Sequence, residues 1–334
     1  MSRAVLPGLE VPDSVLESEI RVRLADVEKA LAEAVRMEPG MLEETSKYLL
    51  DAGGKRFRPM LVLVCGYFGN PEDPRLVTAS VALELTHLAS LYHDDVIDEG
   101  DSRRGITSAN ARWDNTVAIL TGDFLFARAS EIMSELGNEP TRLLAKTIAT
   151  LCDGQIREVS LAGKTDQTVD FYMGTIKRKT SALIATAARI GGLMSDAPVQ
   201  YLDTLEGFGD ELGTAFQLSD DIMDLTVSSD VLGKEPGVDM KEGVYTLPVL
   251  DALTLGEGAE ELSKLLSAGP PEGDDLVRAL ELVRNDGSLG RSRDVVARSV
   301  DHAVELLGQL PQGPAASALI HLSEFLATRC GARR

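Results

Sequence analysis

Apolar residues recur along this chain at helical spacing. Leu16, Ile20, Leu24, Val27, Leu31 and Val35 follow one another at steps of four and three, a single apolar stripe behind a capping Asp13 or Ser14. A second helix is expected from about Met41 to Leu50, ending at Gly53-Gly54. Further helical patterns cover roughly 57–68, 75–98, 107–136, 141–163, 168–194 and 198–226. No run of alternating β-branched residues is bounded by hairpin turns, so strands should be few or absent. Gly69-Asn70-Pro71, Gly100, Asn138-Glu139-Pro140, Ala197-Pro198 and Gly233 to Gly237 punctuate the pattern as loops. Gly269-Pro270-Pro271-Glu272-Gly273 sets off a last helical stretch that is too amphipathic to stand alone. The expectation is an all-α chain, one large domain over residues 1–334 with residues 1–10 as a flexible arm.

Composition narrows the partners. Hydrophobic residues make up 44% and aromatics only 4%, a balance that suits an Ala- and Leu-rich helical core. A net charge of −20 argues against nucleic acid or an anionic membrane as the main partner. Cys65, Cys152 and Cys330 are scattered without a CxxC pair, as expected of thiols in a reducing compartment. The opening residues MSRAVLP hold no signal-peptide core, and no apolar run approaches the ~20 residues of a membrane span. A cytoplasmic protein without an integral membrane segment is expected.

Two acidic clusters then stand out. Asp94-Asp95-Val96-Ile97-Asp98 and Asp220-Asp221-Ile222-Met223-Asp224 both read D-D-x-x-D at the ends of apolar helical stretches. At ~100° per residue, positions i, i+1 and i+4 share about a third of a helix circumference, so each cluster crowds three carboxylates on one face. Their repulsion calls for a cation, and hard carboxylate oxygens suit Mg²⁺. Two such clusters facing one another would hold a diphosphate. One D-D-x-x-D alone is more often a solvated helix end.

Cations complete the picture. Gly53-Gly54-Lys55-Arg56-Phe57-Arg58-Pro59 is a loose turn with three positive charges, and its proline suits a helix start. Arg103-Arg104-Gly105 follows the first acidic cluster, Lys179-Thr180 lies within a long helical pattern, and Lys234 follows the second cluster. Arginine forks bind phosphate oxygens directly, so a basic group without metal and an acidic group with metal fit two different diphosphates. His87 lies on the same helical face as Asp94; alone it would be an ordinary boundary residue, as His93 is expected to be.

Together these residues resemble the trans-isoprenyl diphosphate synthases of the polyprenyl synthetase family, through motifs over about residues 40–255. The resemblance implies the isoprenoid synthase fold, long helices around a central active-site cavity, and a homodimer. It implies a prenyltransferase that condenses isopentenyl diphosphate head-to-tail onto an allylic diphosphate, with three Mg²⁺ per loaded site. Asp94, Asp95, Asp98, Asp220, Asp221 and Asp224 would be the metal ligands. Lys55, Arg58, His87 and Arg104 would hold isopentenyl diphosphate, and Arg103, Lys179, Thr180, Gln217 and Lys234 the allylic diphosphate. Asp94, Asp95, Asp98, Arg103, Lys179, Asp220 and Asp221 would act in ionisation, and the departing diphosphate would take the proton. One position departs from the pattern. Val244 stands in Asp239-Met240-Lys241-Glu242-Gly243-Val244-Tyr245-Thr246-Leu247-Pro248 where such sequences carry a second lysine, so Lys241 partly replaces it or one cation is missing.

In this family, bulky residues four or five positions before the first cluster stop product growth early. Here they are Ala89 and Ser90, both small, one turn before Asp94. The same residues would equally serve close helix packing. A product of about 30 to 50 carbons, destined for membranes, is expected over the farnesyl or geranylgeranyl alternative. A class I terpene cyclase would lack the basic turn and the second D-D-x-x-D. A non-catalytic subunit of a heteromeric synthase would have lost the aspartates.

Overall fold

The computed structural model describes residues 13–226 and 236–333. The proposed arm at 1–10 and Lys234 lie outside these residues. The described residues are almost wholly helical, the all-α class expected. No helix among them is long and apolar enough to cross a membrane.

The chain groups into two compact units. The first comprises Met1–Ile148, Leu183–Glu206 and Leu307–His321, and the second Ala149–Ala182, Gly207–Leu306 and Leu322–Arg334. In the first unit, α1 (Ser14–Ala34) begins where Asp13 accepts hydrogen bonds from the amides of Val15 and Leu16, which satisfies donors the first turn leaves open. Its stripe is buried at Leu16, Ile20, Val27, Leu31 and Val35. α2 (Met41–Asp51) leads into the glycine turn, and α3 (Phe57–Cys65) follows. α4 (Arg75–Ile97) is the centre of this unit: it packs chiefly on α6 (Asn115–Ser134), and also on α3 and α1. Its buried residues run from Leu76 through Ala82, Leu85 and Ala89 to Tyr92, nearly all round the helix, as a core helix requires.

The stretch expected as one helix over 107–136 is interrupted. Two-residue strands β1 (Ser102–Arg103) and β2 (Ile106–Thr107) pair antiparallel, Ser102 opposite Thr107 and Arg103 opposite Ile106. Arg104 and Gly105 turn between them with φ of 53° and 79°, the left-handed pair that matches strand twist in a tight hairpin. The short α5 (Ala109–Arg112) stops at Trp113, and Asp114 caps α6 by accepting from the Val117 amide at 2.8 Å. Conversely, Asn138-Glu139-Pro140, expected as a loop, opens α7 (Asn138–Leu161). Proline is tolerated in a first turn because its missing N–H had no helical partner there.

α8 (Val169–Ile176) and α9 (Ala182–Met194) are joined by a single π turn over Lys177–Ser181. α10 (Val199–Thr226) carries the second acidic cluster at its end, and helices at Leu247–Leu255, Gly273–Asn285, Ser288–Leu307 and Pro314–Arg329 follow. In the first unit α9 approaches α3 through Gly191: a Cβ there would lie 2.5 Å from the Val62 carbonyl oxygen and 2.8 Å from Cys65 Cβ. Both obstacles belong to helical backbone or its root, so they cannot swing away. Gly191→Ala should therefore destabilise the fold by ~1–3 kcal/mol. A chemical-denaturation midpoint equal to wild type would contradict this contact.

Candidate active site

Within the first unit, the acidic cluster occupies the last turn of α4. Asp95 is fully buried, Asp94 half-buried, and Asp98 exposed at the C-cap, its amide bonded to the Asp94 carbonyl at 2.8 Å. A helix C-terminus carries partial negative charge, so the helix itself adds to the carboxylate repulsion. The hairpin answers with Arg103, whose Nε donates to Asp95 Oδ1 at 2.6 Å. Burial raises the Asp95 carboxyl above its ordinary range, and Arg103 opposes that rise. Asp95 Oδ2 is buried with no hydrogen-bond partner.

The basic turn divides its three cations. Arg56 has a left-handed backbone (φ 48°) and a buried side chain whose Nε lies 2.5 Å from Glu28 Oε1 and whose Nη1 lies 3.1 Å from Glu84 Oε1. It fastens the turn to α1 and α4 and is occupied. Lys55 remains exposed. Arg58 is held to about 10 mainly by burial, with Arg104 lowering it further and Glu84 resisting, and its Nε has no hydrogen-bond partner. Arg104 donates to the carbonyls of Leu49, at 3.0 Å, and of Gly53, so the hairpin is tied to this turn. His87 lies well below its ordinary range through burial and the charges of Arg58, Arg104, Arg103 and Arg56; its imidazole is neutral at pH 7. His93 instead packs on α6, with Nε2 3.2 Å from the Ile119 carbonyl oxygen and its ring beside Phe126. Arg58, His87 and Arg104 thus belong to one basic neighbourhood, Lys55 lies exposed beside Arg56, and Arg103, also near His87, is paired with Asp95.

Within the second unit, Asp221 is buried and braced on both oxygens. Gln217 Nε2 donates to Oδ1 at 2.9 Å, and the Tyr172 hydroxyl donates to Oδ2. Thr180 Oγ1 in turn donates to Gln217 Oε1 at 2.7 Å. Burial pushes the Asp221 carboxyl up to about 7; Asp220 and Asp224 add to the rise, and the two hydrogen bonds oppose it. Asp224 Oδ1 accepts from the Val238 amide at 3.2 Å. Asp220 Oδ1 lies 2.8 Å from Nη2 of Arg329. The π turn brings Lys179 into an ion pair with Glu158. Val244 is half-buried beside Glu158, Tyr172 and Arg157, whose guanidinium stacks 4.0 Å over Phe171; Lys241 is exposed.

Three residues here escaped the sequence reading. Tyr172 and Arg329 are too distant along the chain for any spacing argument. Asp239 is pushed well above its ordinary range, first by burial and then by Asp221 and Asp224, which brings a further acid beside the cluster. Its only sequence signal is its place at the head of the segment containing Val244.

Both clusters offer hard oxygen donors alone, and the buried, unpartnered Asp95 Oδ2 is an atom that a cation would satisfy. Among the described residues no three acidic or imidazole groups already converge into a cage. Mg²⁺ needs none, because it retains waters and takes part of its shell from substrate phosphates. The donors fit that ion.

Comparisons with known proteins agree in direction. The profile of the family described as Polyprenyl synthetase matches residues 39–283. The chain is 40% identical to the nonaprenyl diphosphate synthase of Mycobacterium tuberculosis, over 98% of each chain. It is similar in structure to a decaprenyl diphosphate synthase from Rhodobacter capsulatus, with a TM-score of 0.88 and 33% identity over 96% of this chain and 99% of that one. A geranylgeranyl pyrophosphate synthase from Corynebacterium glutamicum, solved with calcium and isoprenyl diphosphate, matches with a TM-score of 0.86 and 38% identity over 96% of this chain and 99% of that one.

Removing the Arg56 guanidinium takes the hydrogen-bonded partner from the buried Glu84, although Arg58 and Arg104 still offset its charge, so Arg56→Met should lower stability by ~1–3 kcal/mol in denaturant titration. Lys55→Met, at an exposed position, should leave the midpoint where it is. Equal midpoints for both variants would contradict the division of roles. His87 gives a pH signature. Its folded value is depressed, so its contribution is present above its ordinary value of about 6.5 and is lost as pH falls. Melting temperature should drop from pH 7 towards pH 5 less steeply in His87→Gln than in wild type; identical slopes would show that the imidazole is not held neutral.

Proposed function

The chain belongs to the polyprenyl synthetase family and is a head-to-tail prenyltransferase, and we propose that it makes an all-trans polyprenyl diphosphate of about 30 to 50 carbons. The observation that carries a cation-assisted ionisation is that each acidic cluster keeps one carboxylate buried and braced, Asp95 by Arg103 and Asp221 by Tyr172 and Gln217. Such acids are costly to bury and gain their use when cations arrive.

Asp94, Asp95 and Asp98 in one cluster, and Asp220, Asp221 and Asp224 in the other, are assigned to Mg²⁺. When bound, the ion stabilises the charge that grows on the allylic diphosphate as its C–O bond breaks. Arg103 with the first cluster, and Lys179 with Lys234 in the rest of the chain, are assigned to offset diphosphate charge, and Thr180 and Gln217 to orient it. Arg103 and Lys179 each begin in an ion pair, with Asp95 and Glu158, so binding an anion exchanges one carboxylate partner for a phosphate. Lys55, Arg58, Arg104 and the neutral His87 hold isopentenyl diphosphate, whose double bond attacks the allylic cation. A proton is then lost to the departed diphosphate. Val244 brings no charge, so allylic phosphate affinity rests on the remaining cations and on Arg157 nearby.

Two features support the chain length. Ala89 is fully buried in α4, and the Ser90 hydroxyl folds back onto the His87 carbonyl at 2.9 Å, so neither projects bulk one turn before Asp94. Nonaprenyl and decaprenyl synthases are among the similar proteins. The similarity to a geranylgeranyl synthase keeps a C20 product as the alternative. A homodimer in the cytoplasm, releasing a product to membranes, completes the proposal.

The test is incubation with labelled isopentenyl diphosphate, several allylic primers and Mg²⁺, followed by product chain-length analysis. Products of C30 or longer are expected; no elongation with any primer overturns the function, and a product that stops at C20 overturns the length. Ser90→Phe and Ala89→Phe should both shorten the product. Ala89→Phe should also cost ~1–3 kcal/mol of stability, since that site is already filled. Unchanged products from both would remove these residues from length control.

A further inference from the structure

Arg329, at the end of the helix Pro314–Arg329, is far along the chain from every motif above, yet it meets the second acidic cluster within its own unit. Its Nε donates to the Ser219 hydroxyl at 2.7 Å, and its Nη2 donates to the Phe216 carbonyl at 3.1 Å. The guanidinium carbon lies 5.0 Å from the centroid of the Phe216 ring, and Nη2 also stands 2.8 Å from Asp220 Oδ1. Ser219 is pinned in turn, its hydroxyl donating to the Leu326 carbonyl at 3.2 Å, one turn before Arg329.

Three of these four contacts do not involve the carboxylate. The guanidinium is therefore held in place whether or not Asp220 engages it, and its side chain is only 14% exposed against 44% for Asp220. An ordinary surface ion pair joins two mobile side chains and leaves no such anchoring. An anchored guanidinium beside a more exposed carboxylate holds the one oxygen it meets, Oδ1, in a fixed place. Asp221 likewise accepts hydrogen bonds on both oxygens, and Asp224 accepts one from the Val238 amide.

We propose that Arg329 is a positioning residue for Asp220: by holding Oδ1 it orients the carboxylate towards a divalent cation. The C-terminal helix is thereby part of the second cluster's cation site. This rests on the assignment of that cluster to Mg²⁺ under the proposed function. Partners that orient metal-binding groups contribute through geometry, so their loss is read first in metal affinity.

The full-length chain tests this as wild type, Arg329→Gln, Arg329→Lys and Ser219→Ala. One readout is Mn²⁺ binding, followed by the electron paramagnetic resonance of the unbound ion. The other is the elongation rate as a function of Mg²⁺ at saturating substrates. Arg329→Gln should raise both the Mn²⁺ dissociation constant and the half-saturating Mg²⁺ by about tenfold, with a smaller change in maximal rate. Arg329→Lys, which keeps charge but not the fork, should recover part of the loss. Ser219→Ala, which loosens the anchor and spares the charge, should shift both in the same direction by less. If Arg329→Gln does not fold, the other two variants carry the test.

A lowered melting temperature with unchanged Mn²⁺ affinity would make Arg329 merely structural and overturn the proposal. Tighter Mn²⁺ binding in Arg329→Gln would also overturn it, because the arginine would then be a competitor of the cation. Wild type that neither binds Mn²⁺ nor elongates sinks the assignment of the cluster together with this inference. Wild type that does both, with Arg329→Gln indistinguishable from it, sinks the inference alone.

Discussion

Burial of a carboxylate at the negative end of a helix, beside other acids, is the constraint on which the rest of this structure depends. α4 and α10 are apolar and largely buried, and each ends in three aspartates where the helix dipole is already negative. One acid of each set, Asp95 or Asp221, is nearly inaccessible to water, and burial raises both. Left alone, such groups would take up protons or fray the helix end that carries them. The protein instead supplies partial compensation. Arg103 comes from a hairpin, Tyr172 from α8, Gln217 from one turn earlier on α10 itself, and Arg329 from the far end of the chain. Each brace fixes a carboxylate without filling its whole coordination capacity, a condition in which an incoming cation still gains.

Much of the remaining architecture serves to hold those braces. The left-handed turn at Arg104-Gly105 reverses the chain so that one arginine reaches Asp95 and the next reaches the glycine turn at Gly53. Arg56, between Glu28 and Glu84, keeps that turn in place. The π turn over Lys177–Ser181 does similar work in the second unit. One extra residue per turn re-aims Lys179 towards Glu158 while Thr180 reaches Gln217.

The helices were legible because burial on one face writes a period into the sequence: the stripe from Leu16 to Val35 is buried where the spacing places it, apart from half-buried Leu24. The acidic motifs were legible for the same reason, since D-D-x-x-D has a geometric meaning only on a helix. The hairpin was not, because two-residue strands carry no alternation, and the break at Trp113-Asp114 is a capping event inside an otherwise helical pattern. Lys55, Arg56 and Arg58 look alike as letters. Only packing against Glu28 and Glu84 separates the structural cation from the others. Arg329, Tyr172 and Asp239 are brought to the second cluster by tertiary contact, which local spacing does not encode.

If compensation by cations is the organising requirement, affinity for a diphosphate must depend on the divalent ion and on the buried acids together. Calorimetric titration of a non-ionisable thiolo analogue of an allylic diphosphate into the full-length protein, with and without Mg²⁺, measures that dependence directly. Binding that requires Mg²⁺, and that is lost in Asp95→Asn and in Asp221→Asn, is the result the account predicts. Equal affinity in the presence of a chelator, unaffected by either substitution, would contradict it.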